Sequence, residues 1–468
     1  MVRKSKGVRS IKNQVSQFIE EDVAGSNGLG TKWAFLVAGS NGIENYRHQA
    51  DVCHAYQVLK SGGLKDENII VMMFDDIANH NKNPRPGVII NSPNGPNVYQ
   101  GVPKDYTGHN VNPTNFFAVL NGDTSYTIGG TGKVLNTTSN DSIFIYMVSH
   151  GTIHALDMIN EGYIWGVDLV IALKKKHDAL SYKKMVIYIE SCFSGSIFDD
   201  ILPDNIGIYA TTASNGEENS FAIYCPETPF PPPAGFTFCL GDTYSISWME
   251  DSETSNRSTQ TLFDQYLSVV NRVQNMDPIY MSHVMEYGDT TVSNDLIATY
   301  FGDGSASSNS QSSYEHFTMK TGLVKQDDAS LLHLKLELEK APDGSKDKSK
   351  AQKELYDEIA RRKHEDHTIN LIADLLFGEE KDSIKMDHVR KVDLHDVDYW
   401  DCLKMLVSKI AYNLLILRKA YQDHCGILSP YGKKLYSRVS VNMCNVGISE
   451  AQMIAATSQA CPIKNHIS

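Results

Sequence analysis

The feature of this sequence that most constrains its fold is a series of five short apolar runs within the first three hundred residues. They are WAFLVAG at 33–39, NIIVMMF at 68–74, SIFIYMV at 142–148, KMVIYI at 184–189 and IGIYAT at 206–211. Because the apolar residues do not alternate with polar ones, each run predicts a strand buried on both faces, as in a parallel sheet. Helical patterns lie between the runs, for example at 49–60 and 167–176. Alternation of strands and helices predicts an α/β fold with a doubly wound sheet.

The composition changes after Tyr300. The stretch GDGSASSNSQSS at 302–313 predicts a flexible linker. Beyond it, apolar residues recur at three- and four-residue spacing over 330–340 and 351–376, which predicts an all-α domain. The 468 residues therefore divide into an N-terminal segment at 1–30, an α/β domain at 31–301, the linker at 302–313 and a helical domain at 314–468.

Charge and hydropathy exclude several classes of partner. The chain has 56 acidic residues against 43 Lys and Arg, a formal net charge of −13, which argues against binding to nucleic acid. No run approaches 18 apolar residues, so we expect no membrane span. The basic start, MVRKSKGVRSIKNQ, lacks the apolar stretch of a signal peptide, so either the protein is not secreted or this sequence lacks its true beginning. We find no phosphate-binding loop and expect no cofactor.

The eight cysteines are unevenly distributed. Four of them cluster in the helical tail, namely Cys402, Cys425, Cys444 and Cys461. The cluster predicts two disulfides, with three possible connectivities, in an oxidising compartment; four buried free thiols are the alternative. Cys225 and Cys239 bracket a proline-rich loop and are also assigned as disulfide cysteines.

A histidine and a cysteine follow two of the predicted strands. His150 and Gly151 come after the run at 142–148, and Cys192 comes after the run at 184–189. The carboxyl ends of parallel strands share one edge of a sheet, so these side chains can meet there. A thiol is a strong nucleophile, an imidazole can accept its proton, and a glycine N–H can approach an oxyanion closely. This order of residues is caspase-like; a core histidine and an inert buried cysteine are the alternative.

The sequence contains two further candidate sites, a cysteine and a possible metal cluster, and it favours a structural role for both. Cys53 occupies a helix-interior position, which predicts packing rather than catalysis. His48, Asp51 and His54 could suggest a metal site, but their spacing is loose and no fourth ligand is evident. We therefore expect no metal.

Longer motifs closely resemble the legumain family, the asparaginyl endopeptidases or vacuolar processing enzymes of the caspase-like clan, and the proline-rich loop resembles its plant branch. In the first part of the chain they are VAGSNG at 37–42, NYRHQADVCHAYQ at 45–57, DDIA at 75–78, NPRPGVIIN at 83–91 and GVPKDYTG at 101–108. Further along they are SGSIF at 194–198, ATTAS at 210–214, CLGD at 239–242 and WMEDS at 248–252. The resemblance covers nearly the whole chain from about residue 31. It implies a caspase-like, mostly parallel six-stranded sheet followed by a helical C-terminal prodomain.

The resemblance also implies roles for individual residues. It implies a catalytic dyad of His150 and Cys192, with Asn45 beside the histidine and the Gly151 amide as an oxyanion donor. The implied pocket for the substrate side chain before the scissile bond consists of Arg47, His48, Glu190, Ser220 and Asp242. Arginine with acidic neighbours supplies the donors and acceptors that an asparagine amide needs, whereas an aspartate would need protonation. A plain buried ion pair is the alternative for Arg47 and Asp242.

The implied function is an asparagine-specific cysteine endopeptidase made as a zymogen. Its own C-terminal prodomain is then an intramolecular inhibitor, with cleavage in the linker expected at Asn309 or, as a second choice, Asp303. We expect substrates with exposed asparagine in a vacuole- or lysosome-like acidic compartment reached through the secretory pathway. Glycosylation sequons at Asn136, Asn140 and Asn256 fit that route.

Among the departures of this chain from the family pattern, two remove acidic residues beside the dyad. Ser149 stands where the family has aspartate, and Phe193 stands where it has glutamate, so the field on both dyad groups differs. The tail is also longer than the family pattern near 408–419. Three hypotheses therefore stay open: an endopeptidase, a peptide ligase or cyclase on the same scaffold, and a catalytically weakened homologue.

Overall fold

The computed structural model describes residues 30–159, 162–277, 281–304, 322–378, 421, 424–445 and 449–462. The strands are β1 Lys32–Ala38, β2 Ile69–Met72, β3 Ser142–Val148, β4 Gly151–Thr152, β5 Ala155–Met158, β6 Gly162–Trp165, β7 Lys184–Glu190, β8 Ile208–Thr212, β9 Phe221–Ile223, β10 Gly241–Asp242, β11 Met285–Gly288 and β12 Val324–Lys325. The α-helices are α1 Tyr46–Ser61, α2 Pro113–Asn121, α3 Gly166–Asp178, α4 Thr243–Thr254, α5 Leu262–Met276, α6 Ala298–Phe301, α7 Gln326–Lys340, α8 Lys346–Phe377, α9 Pro430–Asn445 and α10 Glu450–Ala460.

A six-stranded sheet forms the centre of the α/β part, in the order β11-β8-β7-β3-β1-β2. The five strands from β8 to β2 are parallel, and β11 pairs antiparallel with β8 at one edge. The five apolar runs supply the parallel strands, which confirms the predicted mostly parallel six-stranded sheet.

The sheet separates two hydrophobic cores. Alternate residues of β1 illustrate the division, since Ala34 and Leu36 lie in one core while Phe35 and Val37 lie in the other. All four side chains are buried. A strand that contributes to both cores must be apolar at every position, which is why these segments lack alternation. Truncating Phe35 to alanine would cost about 3–5 kcal/mol of stability.

Two small sheets lie beyond the carboxyl edge of the large one. One consists of β4, β5 and β6 and begins directly after His150. The other has the order β10-β9-β12. Its strand β12 belongs to the segment that enters the C-terminal helices, so this sheet joins the two parts of the chain.

The C-terminal helices pack on one another and on the α/β part. Arg362 of α8 pairs with Glu358 at 2.7 Å and with Asp328 of α7 at 3.1 Å, which ties these helices together. A third apolar cluster joins Ile369 of α8 to Phe193 of the α/β part. Helix α7 begins four residues before the predicted start at 330, and α8 begins five before 351, because acidic and capping residues extend both patterns. Among the helices described, none is long and apolar enough to cross a membrane.

Candidate functional site

The two strand ends singled out in the sequence lie side by side. Strands β3 and β7 are adjacent and parallel, with Val148 opposite Glu190, so His150 and Cys192 each lie two residues beyond a paired position. Gly151 packs so closely that a β-carbon there would overlap the Cys192 carbonyl oxygen. Only glycine can therefore occupy position 151 without displacing the backbone at Cys192.

His150 is oriented by an amide. Its Nε2 lies 2.7 Å from Asn45 Oδ1. Because a carbonyl oxygen only accepts, Nε2 carries a hydrogen, and Nδ1 is then the nitrogen that can accept a proton. The His48 ring packs edge-on against the His150 ring, with 5.0 Å between their centroids. These contacts fix both the tautomer and the orientation of the His150 ring.

With the C-terminal helices in place, His150 and Cys192 both favour their neutral forms. Burial, followed by Asp327, raises the pKa of the Cys192 thiol to about 12, although Lys434 and a backbone hydrogen bond from Ser220 oppose the rise. Burial, followed by Arg47 and Lys433, holds the pKa of His150 well below its usual range. A thiolate is the reactive form of cysteine, so this arrangement suppresses reactivity.

The pocket residues surround one buried ion pair. Arg47 Nε lies 2.9 Å from Asp242 Oδ1, and both side chains are almost inaccessible to solvent. His48 Nε2 lies 3.7 Å from Asp242 Oδ2, while its Nδ1 lies 2.6 Å from the Ser40 hydroxyl. Arg47 thus lies in the first turn of α1, and its guanidinium is directed to Asp242, just before α4, rather than to solvent.

Acidic groups outnumber the cation in this pocket. Burial, reinforced by Asp242, raises the pKa of Glu190 to about 8. Burial also raises the pKa of Asp242, although Arg47 opposes the rise. Burial and Asp242 together raise the pKa of Asp51 well above its usual range. Carboxyl groups with raised pKa values beside the Arg47 guanidinium give a pocket with both donors and acceptors.

A residue that the sequence reasoning missed completes the site. The side-chain amide nitrogen of Gln326 donates to Glu190 Oε1 and to Asp242 Oδ1, each at 3.2 Å. Its backbone N–H donates to the carbonyl of Ser220 at 3.3 Å. Arg47 Nη2 and Gln326 Oε1 are buried and have no hydrogen-bond partner within the described part of the chain. A single glutamine at a helix start carries no sequence signal for this placement.

The two departures from the family pattern lie where the sequence suggested. The Ser149 hydroxyl is buried and donates to the carbonyl of Asp157 at 2.7 Å. Phe193 is completely buried, with Lys434 Nζ 5.3 Å and Arg438 Cζ 4.9 Å from its ring centroid. Both cations belong to α9, so Phe193 is a contact between the two parts of the chain.

The other candidates from the sequence are Cys53 and the cluster of His48, Asp51 and His54. Cys53 is buried inside α1, 3.9 Å from Met73 Sδ, and burial raises the pKa of its thiol to about 12. Within the loose cluster, Asp51 and His54 both hydrogen-bond to Asn91, whereas His48 faces Asp242. Across the described residues, no three His, Cys, Asp or Glu side chains converge as a metal site.

Four of the cysteines assigned to disulfides form two bridges, Cys225–Cys239 and Cys425–Cys461, and the second bridge settles that these two tail cysteines pair with each other. Cys402 and the side chain of Cys444 lie outside the described residues, as does the predicted cleavage residue Asn309. Asp303 is exposed.

Known proteins match this chain along most of its length. The sequence model of the Peptidase C13 family matches residues 32–316, and that of the legumain prodomain matches residues 353–461. A vacuolar-processing enzyme of Vicia sativa is 47% identical and covers 96% of this chain and 89% of its own length. A legumain of Canavalia ensiformis is 46% identical and covers 92% of this chain and 89% of its own. Caspase-1 of Spodoptera frugiperda, a solved structure, covers 56% of this chain and 88% of its own at 10% identity and a TM-score of 0.33. The chain thus belongs to the peptidase C13 family of cysteine-type peptidases, and its C-terminal part is a legumain prodomain.

Proposed function

We propose that this protein is a zymogen of a cysteine endopeptidase that cleaves after asparagine, and that its prodomain blocks the cleft by imitating substrate. The observation that carries the proposal is the path of residues 324–326. Strand β12 pairs antiparallel with β9, so Val324 lies opposite Ala222 and Lys325 opposite Phe221. Gln326 follows with its backbone bonded to Ser220 and its side chain in the pocket.

We infer the positions of substrate residues in the cleft from the path of residues 324–326. A substrate strand added to β9 in the same direction would place its specificity residue where Gln326 lies, and its next residue where Asp327 lies. Pairing through backbone atoms gives affinity without sequence preference, and the pocket then selects one side chain. Gln326 carries the same amide group as asparagine on a stem longer by one methylene.

The pocket supplies what an asparagine amide requires. Its nitrogen can donate to Glu190 and Asp242, as the nitrogen of Gln326 does. Its oxygen can accept from Arg47 Nη2, which is buried without a partner in the described structure. A substrate aspartate would bring a third carboxyl group beside those of Glu190 and Asp242, which disfavours its ionised form, so it should be accepted only when protonated in acid.

The dyad accounts for bond cleavage. His150 Nδ1 takes the proton of Cys192, and the sulfur attacks the carbonyl carbon of the substrate asparagine. The Gly151 and Cys192 amides stabilise the resulting oxyanion. The C–N bond then breaks as the imidazolium gives its proton to the leaving amine, and water hydrolyses the thioester to release the acid and the free thiol.

Removal of the prodomain should activate this chemistry. It would take away Asp327, Lys433 and the burial that shift both dyad pKa values, so the Cys192 pKa should fall and the His150 pKa should rise. Release requires cleavage within the linker, for which Asn309 remains the proposed residue. The disulfides and the vacuolar-processing relatives support an acidic vacuole as the site of action.

The test uses four peptides that differ only in the residue before the bond, which is Asn, Gln, Asp or Ala. Acid-treated protein should cleave the Asn peptide between pH 4 and 7 and the Asp peptide only at the acid end. Cleavage of the Ala peptide at a comparable rate would refute the specificity. Product masses measured in the presence of an added amine distinguish hydrolysis from peptide joining, and joined products would favour the ligase alternative. A near-zero rate on all four peptides would favour the weakened homologue.

A further inference from the structure

Phe193 has a backbone held rigidly beside the nucleophile. It directly follows Cys192 and adopts a left-handed conformation, with φ of 55°, that is unusual for a bulky residue. Its N–H donates to the Glu218 carbonyl at 2.8 Å, and its carbonyl accepts from the Ser196 hydroxyl at 2.6 Å. These bonds hold the Phe193 backbone in place, and its ring faces Lys434 and Arg438 of α9.

The ring lies under two cations that are also satisfied by neutral oxygens of the peptidase domain. Lys434 contacts Asn219 Oδ1 as well as the ring face. Arg438 Nη2 donates to the Glu217 carbonyl at 3.2 Å while its guanidinium lies over the same ring. The ring and these two oxygens together form a surface suited to a long basic side chain.

This surface lies on the leaving-group side of the proposed scissile bond. Asp327 follows Gln326 and so marks the place of the first substrate residue after the bond. Lys434 forms an ion pair with Asp327 while it covers the Phe193 ring. The ring is therefore within one side-chain length of the residues that follow the cleaved bond.

We propose that Phe193, with Asn219 Oδ1 and the Glu217 carbonyl, forms a subsite that binds a lysine or arginine just after the scissile asparagine. The inference rests on the proposed endopeptidase function. In the zymogen Lys434 and Arg438 occupy the subsite, and cleavage of the prodomain frees it for substrate. A neutral ring attracts a cation equally at pH 7 and pH 4, whereas a glutamate there would lose much of its charge in acid.

The experiment compares two peptides that are identical except for the residue after asparagine, which is lysine or norleucine. Norleucine has the aliphatic stem without the charge, so the ratio of kcat/KM values isolates the cation. Acid-activated wild type at pH 5 should favour lysine by about two- to fivefold. Phe193→Leu should bring the ratio close to one, and Phe193→Tyr should keep it.

Each outcome either supports or overturns the proposed subsite at Phe193. Cleavage of both peptides after asparagine at equal rates by wild type would overturn the subsite but leave the proposed function intact. A lysine preference that survives Phe193→Leu would also overturn it. Failure to cleave either peptide after asparagine would overturn the proposed function and the subsite with it. Thermal unfolding of each variant verifies that the fold is retained.

Discussion

Replacing Gln326 by alanine should open the cleft of the uncleaved chain. The variant loses two hydrogen bonds of 3.2 Å to Glu190 and Asp242 but retains the backbone pairing of β12 with β9. A typical hydrogen bond contributes about 0.5–1.5 kcal/mol, and one to a charged group such as the Asp242 carboxylate contributes about 1.5–3 kcal/mol. Because both bonds are long and share one nitrogen, we take about 2 kcal/mol for the two together. That free energy corresponds to about a 30-fold rise in the population with an open cleft.

The assay is the rate at which an asparagine peptide with a thiol-reactive group labels Cys192 in the uncleaved protein at pH 7. Intact mass measured before and after labelling verifies that no cleavage occurred. Gln352→Ala is the matched control, since Gln352 is an exposed glutamine of α8. Equal labelling rates in Gln326→Ala and wild type would refute the idea that this amide occupies the substrate pocket.

Three further predictions follow from the pocket and the prodomain. Asp242→Asn should lower kcat/KM for an asparagine peptide by about 100-fold, because Arg47 loses its buried partner. The control is Asp295→Asn, which removes a charge from a distant ion pair with Lys184. A comparable loss in this control would contradict the assignment of Asp242 to the substrate pocket. Glu190 has a native pKa of about 8 against a reference value of 4.5, so the native state binds an extra proton between these values and wild type loses stability as pH rises through that window. The Tm of Glu190→Gln minus the Tm of wild type should therefore increase as the pH is raised from 5 to 8. A Tm difference that does not change with pH would argue against this prediction. Cys461→Ala should destabilise the prodomain by about 4 kcal/mol, since it opens a loop of 36 residues, and an unchanged unfolding curve would contradict this.

The parallel strands could be predicted from sequence because burial on both faces leaves them no polar positions. Strand β11 could not, since its four residues are only half-buried at a sheet edge. Strand β12 has two residues and exists because β9 offers an unpaired edge, which is a property of the tertiary structure.

The site divides in the same way. Placement after two buried strands was enough to bring His150 and Cys192 together, whereas the pocket residues came from the family resemblance. Gln326 escaped prediction because its role depends on the register of β12 against β9. For Phe193, the sequence indicated only the loss of an acidic group; its position under Lys434 and Arg438 depends on how α9 packs.

A map of the cut sites that the acid-activated protein makes in an unfolded protein substrate tests directly whether it is an asparagine-specific endopeptidase. We predict cuts after asparagine, with cuts after aspartate added at low pH. Cys192→Ala should abolish them, whereas Cys53→Ala should leave them unchanged. Cuts spread over other residues, or cuts after asparagine that persist in Cys192→Ala, would contradict this prediction.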